Sequence, residues 1–215
     1  MNIFFIYDKI IIEVIMKNKV NNINRINDVM KKNNGYITSS ELDKMGIHRM
    51  YLQMLLKKKL IRRVEKGVYL DKNVVNDKLH TLYLWNDHFI YSHFTALYIH
   101  DYINVIPGKY DITVISDYHN PNLSKNNIFY VNKDVYTLGR VRTKTKQGNY
   151  VYCYDLERCI VDIIRSNKRF DKRNIKVILV RYLSSKECNL EKVYKYAKKL
   201  KVLSTVQEYI ENIDK

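Results

Sequence analysis

The sequence predicts an α+β protein: an N-terminal winged helix-turn-helix followed by a larger C-terminal mixed α+β domain. Three observations predict it. Apolar residues recur at helical spacing three times before residue 60. The period then switches to that of a hairpin. After Leu70, strand-like alternation and helix-like spacing share a segment long enough for a domain of its own. The expected division is residues 1–20 as an N-terminal extension of open role, 21–74 as the winged unit, and 75–215 as the α+β domain.

The extension, "MNIFFIYDKIIIEVIMKNKV", is apolar but interrupted by Asp8, Lys9 and Glu13. No uncharged run reaches the ~20 residues that a spanning helix needs. Nor does a basic segment precede a clean apolar core, as a signal peptide requires. An additional helix or strand packing on the body is expected here, or a non-native extension.

Ile23, Ile26, Val29 and Met30 define the inner face of a first helix, which Asn33-Asn34-Gly35 stops. Thr38 with Glu41, and Ser40 with Asp43, both fit the capping box that opens a short second helix. Leu42 and Met45 face inward, and Gly46 ends the helix by tolerating positive φ. A third helix is expected from about Ile47 to Lys59. Its inner face is Ile47, Tyr51, Leu52, Leu55 and Leu56, and its outer stripe is Arg49, Gln53 and Lys57. "LIRRVEKGVYL" then reads as a hairpin with a three-residue Glu65-Lys66-Gly67 loop. Three short helices followed by a hairpin is winged helix-turn-helix order.

Function follows from that stripe and from charge. The chain carries 38 Lys+Arg against 22 Asp+Glu, a formal net charge of +16, which favours a polyanionic partner. Arginine and glutamine can read base edges bidentately in a major groove. Arg62, Arg63 and Lys66 on the wing suit phosphate contacts, which position without specifying. The expected partner is double-stranded DNA, with no membrane partner.

Beyond Leu70, helices are expected near Asp77–Trp85 and Ser92–Tyr102, joined by a short extended piece. Strands are expected at Tyr110–Ser116, Ile128–Val131, Val135–Arg142 and Tyr150–Tyr154, with Gly148 turning the last pair. From Leu156 onward the pattern is helical. The Tyr/Lys/Arg mixture in Ile175–Tyr196 is read as a second basic surface, solvated or touching nucleic acid or an acidic partner.

Catalytic and metal chemistry find little support. Cys153, Cys159 and Cys188 have no CxxC pairing, which argues for reduced thiols in a cytoplasmic protein and against a zinc ribbon. His93 and His100 lack the close spacing of zinc ligands and read as structural. There is no glycine-rich phosphate loop. Asp155 and Glu157 stand at a strand-to-helix junction, where carboxylates favour the helix N-terminus, so capping and packing are their expected work. No cofactor is expected.

Four stretches together resemble the AbiEi antitoxins of type IV toxin–antitoxin and phage-abortive systems. They are "GYITSSELDKMGIHRMYL", "LIRRVEKGVYL", "YSHFTALYIHDYINVIPGKYDITV" and "YCYDLERCIVDIIR". The resemblance runs from about Asn21 to the C-terminus. It implies a winged N-terminal domain that represses its own operon through operator DNA. It also implies a C-terminal domain that counters a co-encoded nucleotidyltransferase toxin, without enzymatic activity. On it, Arg49, Gln53, Arg63 and Lys66 fall in the DNA-reading region. Ser92, His93, Thr95, Asp155, Glu157, Arg158 and Asp162 fall on motifs whose role is structural or antitoxin-specific. Two rivals stand beside it: a nuclease-like C-terminal domain using Asp155, Glu157 and Asp162, and a transcription factor with a ligand-sensing second domain.

Overall fold

The computed structural model describes residues 19–213, so the segment up to residue 18, and with it most of the expected extension, lies outside the described residues. The chain forms two compact units, Met1–Asn86 and Asp87–Lys215.

In the first unit, α1 (residues 19–32) buries Ile26 and Met30. It stops where Asn34 and Gly35 take φ of 50° and 88°. A side chain at Gly35 would meet Val74 Cγ2 at 2.8 Å, so both its conformation and its clearance demand glycine. β1 (Tyr36–Thr38) follows. Thr38 then caps α2 (Ser39–Lys44): its hydroxyl accepts the Glu41 N–H at 3.1 Å, and Glu41 accepts the Thr38 N–H at 2.8 Å. Only this one of the two possible boxes caps the helix.

α3 spans Met50–Lys57, three residues later in its start than expected. The His48 ring accepts the Met50 N–H at 3.1 Å, so a side chain rather than a helical carbonyl serves that first amide. Ile47, Leu52 and Leu55 join Ile26, Leu42 and Ile61 in the core, with Tyr51 and Leu56 half-buried against it.

The wing is β2 (Ile61–Glu65) and β3 (Val68–Asp71), and β3 pairs with both β1 and β2. Its turn is tighter than the three-residue loop expected. Glu65 pairs with Val68, leaving Lys66-Gly67 as the turn, and the extra residue is a bulge between Arg63 and Glu65. Val64 at the bulge is half-buried against Tyr36, Val68 and Leu70.

α4 (Lys78–Trp85) also belongs to this unit, which therefore runs past residue 74. Asp77 caps α4 by accepting the Leu79 and His80 N–H groups. The buried Tyr36 hydroxyl accepts the Asp77 N–H at 2.8 Å, tying the helix entrance to β1.

The second unit is a five-stranded mixed sheet in the order β6-β5-β4-β8-β7. The strands are β4 (Ile90–Tyr91), β5 (Asp111–Ile115), β6 (Asn127–Val131), β7 (Arg140–Lys144) and β8 (Tyr150–Tyr154). Pairing is parallel for β4/β8 and β5/β6 and antiparallel for β4/β5 and β7/β8.

Helices are α5 (His93–Ile99), α6 (Lys133–Tyr136), α7 (Leu156–Arg165), α8 (Lys172–Leu183), α9 (Leu190–Lys199) and α10 (Leu203–Glu211). α7 is the central one, buried all round from Glu157 to Ile164. This arrangement is the α+β, two-part architecture expected.

One element differs. Of the expected strand Val135–Arg142 only Arg140–Arg142 is strand, within β7: α6 occupies its start, and the chain reverses at Gly139 (φ 77°) before β7 begins. The cause is tertiary. Arg158 donates to the carbonyls of Val135 and Leu138 at 2.9 and 3.0 Å, and the Tyr154 hydroxyl donates to the Tyr136 carbonyl at 2.7 Å. These partners lie 18–23 residues away and outweigh the local strand pattern.

Candidate nucleic-acid interface

α3 and the wing bring the six expected DNA-facing residues out to solvent. Arg49, Gln53, Lys57, Arg62, Arg63 and Lys66 are all exposed. Gln53 and Lys57 lie on α3 opposite the buried Leu52 and Leu55, as amphipathic spacing requires.

Arg49 is the N-cap of α3, and its guanidinium is engaged. Nε donates to Asp43 Oδ1 at 3.0 Å, and Nη2 donates to Oδ2. The hydrogen bond from Arg49 holds the Asp43 carboxyl below its ordinary range. While Arg49 holds this carboxylate, only the N–H donors on Nη1 and the second on Nη2 remain for a base edge.

On the wing, Arg62 donates to the Val74 carbonyl at 2.7 Å, and Arg63 donates to the Glu65 carbonyl at 3.3 Å. Each keeps further donors for phosphate, since a guanidinium has five. Lys66 sits at the tip of the turn. Lys58 and Lys59 of the Lys57–Lys59 run are also exposed, as are His48 and Met50, which the sequence pattern did not single out; Lys59 turns the chain at φ 55°.

The motif residues of the second unit are buried or half-buried. Ser92, His93, Thr95, Arg158 and Asp162 are fully buried. Ser92 precedes α5 without capping it; its hydroxyl lies 2.9 Å from His93 Nδ1, and His93 Nε2 lies 3.2 Å from the Ser166 hydroxyl. The ring stacks on Phe129 at 3.6 Å between centroids. Burial pushes the His93 pKa down to about 3, so the ring is neutral. Its backbone φ of 46° is rare for a residue with a side chain.

Thr95 accepts the Asp111 N–H at 2.8 Å. The Asp111 carboxylate in turn accepts from Phe94 N and from Asn127, which joins α5 to β5 and β6.

Asp155 caps α7 by accepting the Arg158 N–H at 2.9 Å, and also accepts from the Tyr196 hydroxyl and from Lys192. Glu157 takes Lys192 at 2.8 Å. Burial opposes the Lys192 charge, but these hydrogen bonds hold its ammonium above the ordinary range. Asp162 pairs with Arg158 at 2.9 Å and Arg165 at 3.1 Å. All three carboxylates are thus spent on helix capping and ion pairs.

His100 Nε2 donates to the Tyr154 carbonyl at 2.8 Å, away from His93's partners. No group of three or more His, Cys, Asp or Glu among the described residues could hold a metal ion. No helix among them is long and apolar enough to cross a membrane. The three cysteines are free thiols.

The comparison with family models lands on the winged unit. Residues 24–70 match the AbiEi antitoxin family. Its description is "Transcriptional regulator, AbiEi antitoxin", and the match runs from within α1 into β3. The AbiEi match thus covers the helix-turn-helix and wing, including all six exposed residues above. No curated protein sequence matches the chain significantly. Among solved structures, the RV2827C protein from Mycobacterium tuberculosis has a TM-score of 0.56 at 10% identity, over 90% of this chain and 77% of that one. At that identity the likeness is one of fold.

Proposed function

We propose that the chain is the antitoxin of a type IV toxin–antitoxin system: its winged unit binds operator DNA and represses the operon, and its second unit counters a nucleotidyltransferase toxin. The observation that carries the proposal is the AbiEi match on a winged unit whose exposed edge is basic and polar. α3 enters the major groove, with Gln53 reading a base edge and Lys57 on phosphate. Arg62, Arg63 and Lys66 grip the backbone beside it. The resemblance of "YSHFTALYIH" and "YCYDLERCIVDIIR" to antitoxin motifs supports the second half.

Mobility shifts on the DNA upstream of the operon test the first half. Gln53→Ala should weaken operator binding and relax base preference, by about 1–3 kcal/mol for a lost bidentate contact. Arg63→Ala and Lys66→Ala should weaken operator and random duplex alike, each making the log–log salt slope shallower by about one unit. Unchanged affinity in all three variants would remove α3 and the wing from the reading. Co-expression with the nucleotidyltransferase toxin that the proposal requires in the same operon tests the second half, since growth should be restored only when this chain is present.

A further inference from the structure

Outside the winged unit, β7 carries three cations at alternate positions, Arg140, Arg142 and Lys144. β7 is an edge of the five-stranded sheet and pairs antiparallel with β8, Arg142 opposite Tyr152 and Lys144 opposite Tyr150. Opposed residues share a face, so Arg140, Arg142 and Lys144 stand on the same side as Tyr152 and Tyr150. The other side carries the buried Val151 and Cys153. The three cations are exposed, and Tyr150 is 43% exposed.

Each cation lies against a ring. Arg140 is 4.7 Å from the Tyr152 centroid, Arg142 is 4.1 Å from that of Tyr150, and Lys144 is 5.3 Å from Tyr150. No acidic residue occurs between Arg140 and Tyr154. Lys146, just beyond the strand, is tied to Asp101 at 3.2 Å. Charges on an edge strand also discourage other strands from pairing with it. That purpose needs no tyrosines in register with the charges.

We propose that this face binds an unpaired RNA strand. Alternate residues of a strand lie ~6.7 Å apart, so the three cations form a row that can follow a sugar-phosphate backbone. The tyrosine rings and the guanidinium planes stacked on them accept unstacked bases. A duplex keeps its bases stacked and could use only the charges. The phenol of Tyr150 can bond a 2′-hydroxyl, which makes RNA the better ligand than a deoxy strand.

The test is fluorescence anisotropy on the full chain with three probes of one mixed sequence: a 12-nucleotide RNA, the matching single-stranded DNA, and an unrelated DNA duplex. The wild type should bind the RNA more tightly than the single-stranded DNA. Joint replacement of Arg140, Arg142 and Lys144 by Gln should lower RNA affinity at least tenfold and make its salt slope shallower. Tyr150→Leu should lower it about tenfold, by loss of stacking, while leaving the slope unchanged.

Both should leave operator binding by the winged unit intact, which separates this proposal from the operator reading. RNA affinity unchanged in either variant overturns the proposal. So does an equal loss on the duplex, or single-stranded DNA bound as tightly as RNA.

Discussion

Arg158 is a fully buried cation at the centre of the second unit. Its Nε pairs with Asp162, Nη1 serves the carbonyls of Val135 in α6 and Leu138 just after it, and its guanidinium lies 4.3 Å from the Tyr154 ring centroid. Removing one partner of such a pair leaves buried groups unsatisfied. Arg158→Leu should therefore cost about 3–5 kcal/mol, read from urea unfolding. Its surface neighbour Arg165 still holds Asp162 and limits the loss.

His93 carries a pH signature. Burial lowers its folded pKa to about 3 from 6.5, so between those values the unfolded chain binds the proton and the folded chain does not. Stability from this ring is complete above pH ~6.5 and is lost as pH falls, by at most about 1.4 kcal/mol per pH unit. Asp111, raised by burial, works in the opposite sense toward the acid end of that window. His93→Asn keeps a residue that tolerates positive φ but cannot take up the proton. Its stability should vary less between pH 6.5 and 5 than that of the wild type. An identical slope in thermal melts at both pH values would contradict the neutral-histidine account.

At the scale of elements, local chemistry decides some features and distant contacts decide others. The Thr38/Glu41 box is local, and Thr38→Ala should cost about 1 kcal/mol, because it strips an acceptor from α2's first turn. A urea midpoint unmoved by that change would show α2 held by packing alone. This box, the Gly46 stop, the buried face of α3 and the wing were legible in the sequence for the same reason: each is set within a few residues. β8 and α7–α10 were legible from periodicity.

What escaped was non-local. The strand expected at Val135–Arg142 begins only at Arg140, because Arg158 and Tyr154 bind the carbonyls of Val135, Tyr136 and Leu138 and hold the chain in a helical turn before it. In Ile175–Tyr196 the cations Lys176, Arg181, Lys186 and Lys195 are exposed as a basic surface requires, but Tyr182 and Tyr196 are core residues. The exposed pairing of cations with tyrosines lies on β7 and β8 instead, where only strand register reveals it. The engagement of Arg49 by Asp43 was hidden as well, since six residues and a turn separate them.

The whole chain should divide at residue 86. α4 looks in sequence like the start of the second domain, but Leu84 and Trp85 pack on the Tyr36, Val68 and Leu70 cluster, and the Tyr36 hydroxyl takes the Asp77 N–H. A fragment of residues 75–215 would carry α4 without β1 and β3 and expose Leu79, which the intact protein buries. Exposed apolar surface of that kind promotes aggregation. A fragment of residues 87–215 leaves α4 with its partners and contains the complete five-stranded sheet. Size exclusion should find residues 87–215 monodisperse and residues 75–215 partly aggregated. Residues 1–86 should shift operator DNA, and residues 87–215 should not. If the second unit alone counters the toxin, cells expressing residues 87–215 should survive toxin induction while the operon is derepressed. Death of those cells, with residues 87–215 folded and abundant, would mean that neutralisation requires the winged unit or repression itself.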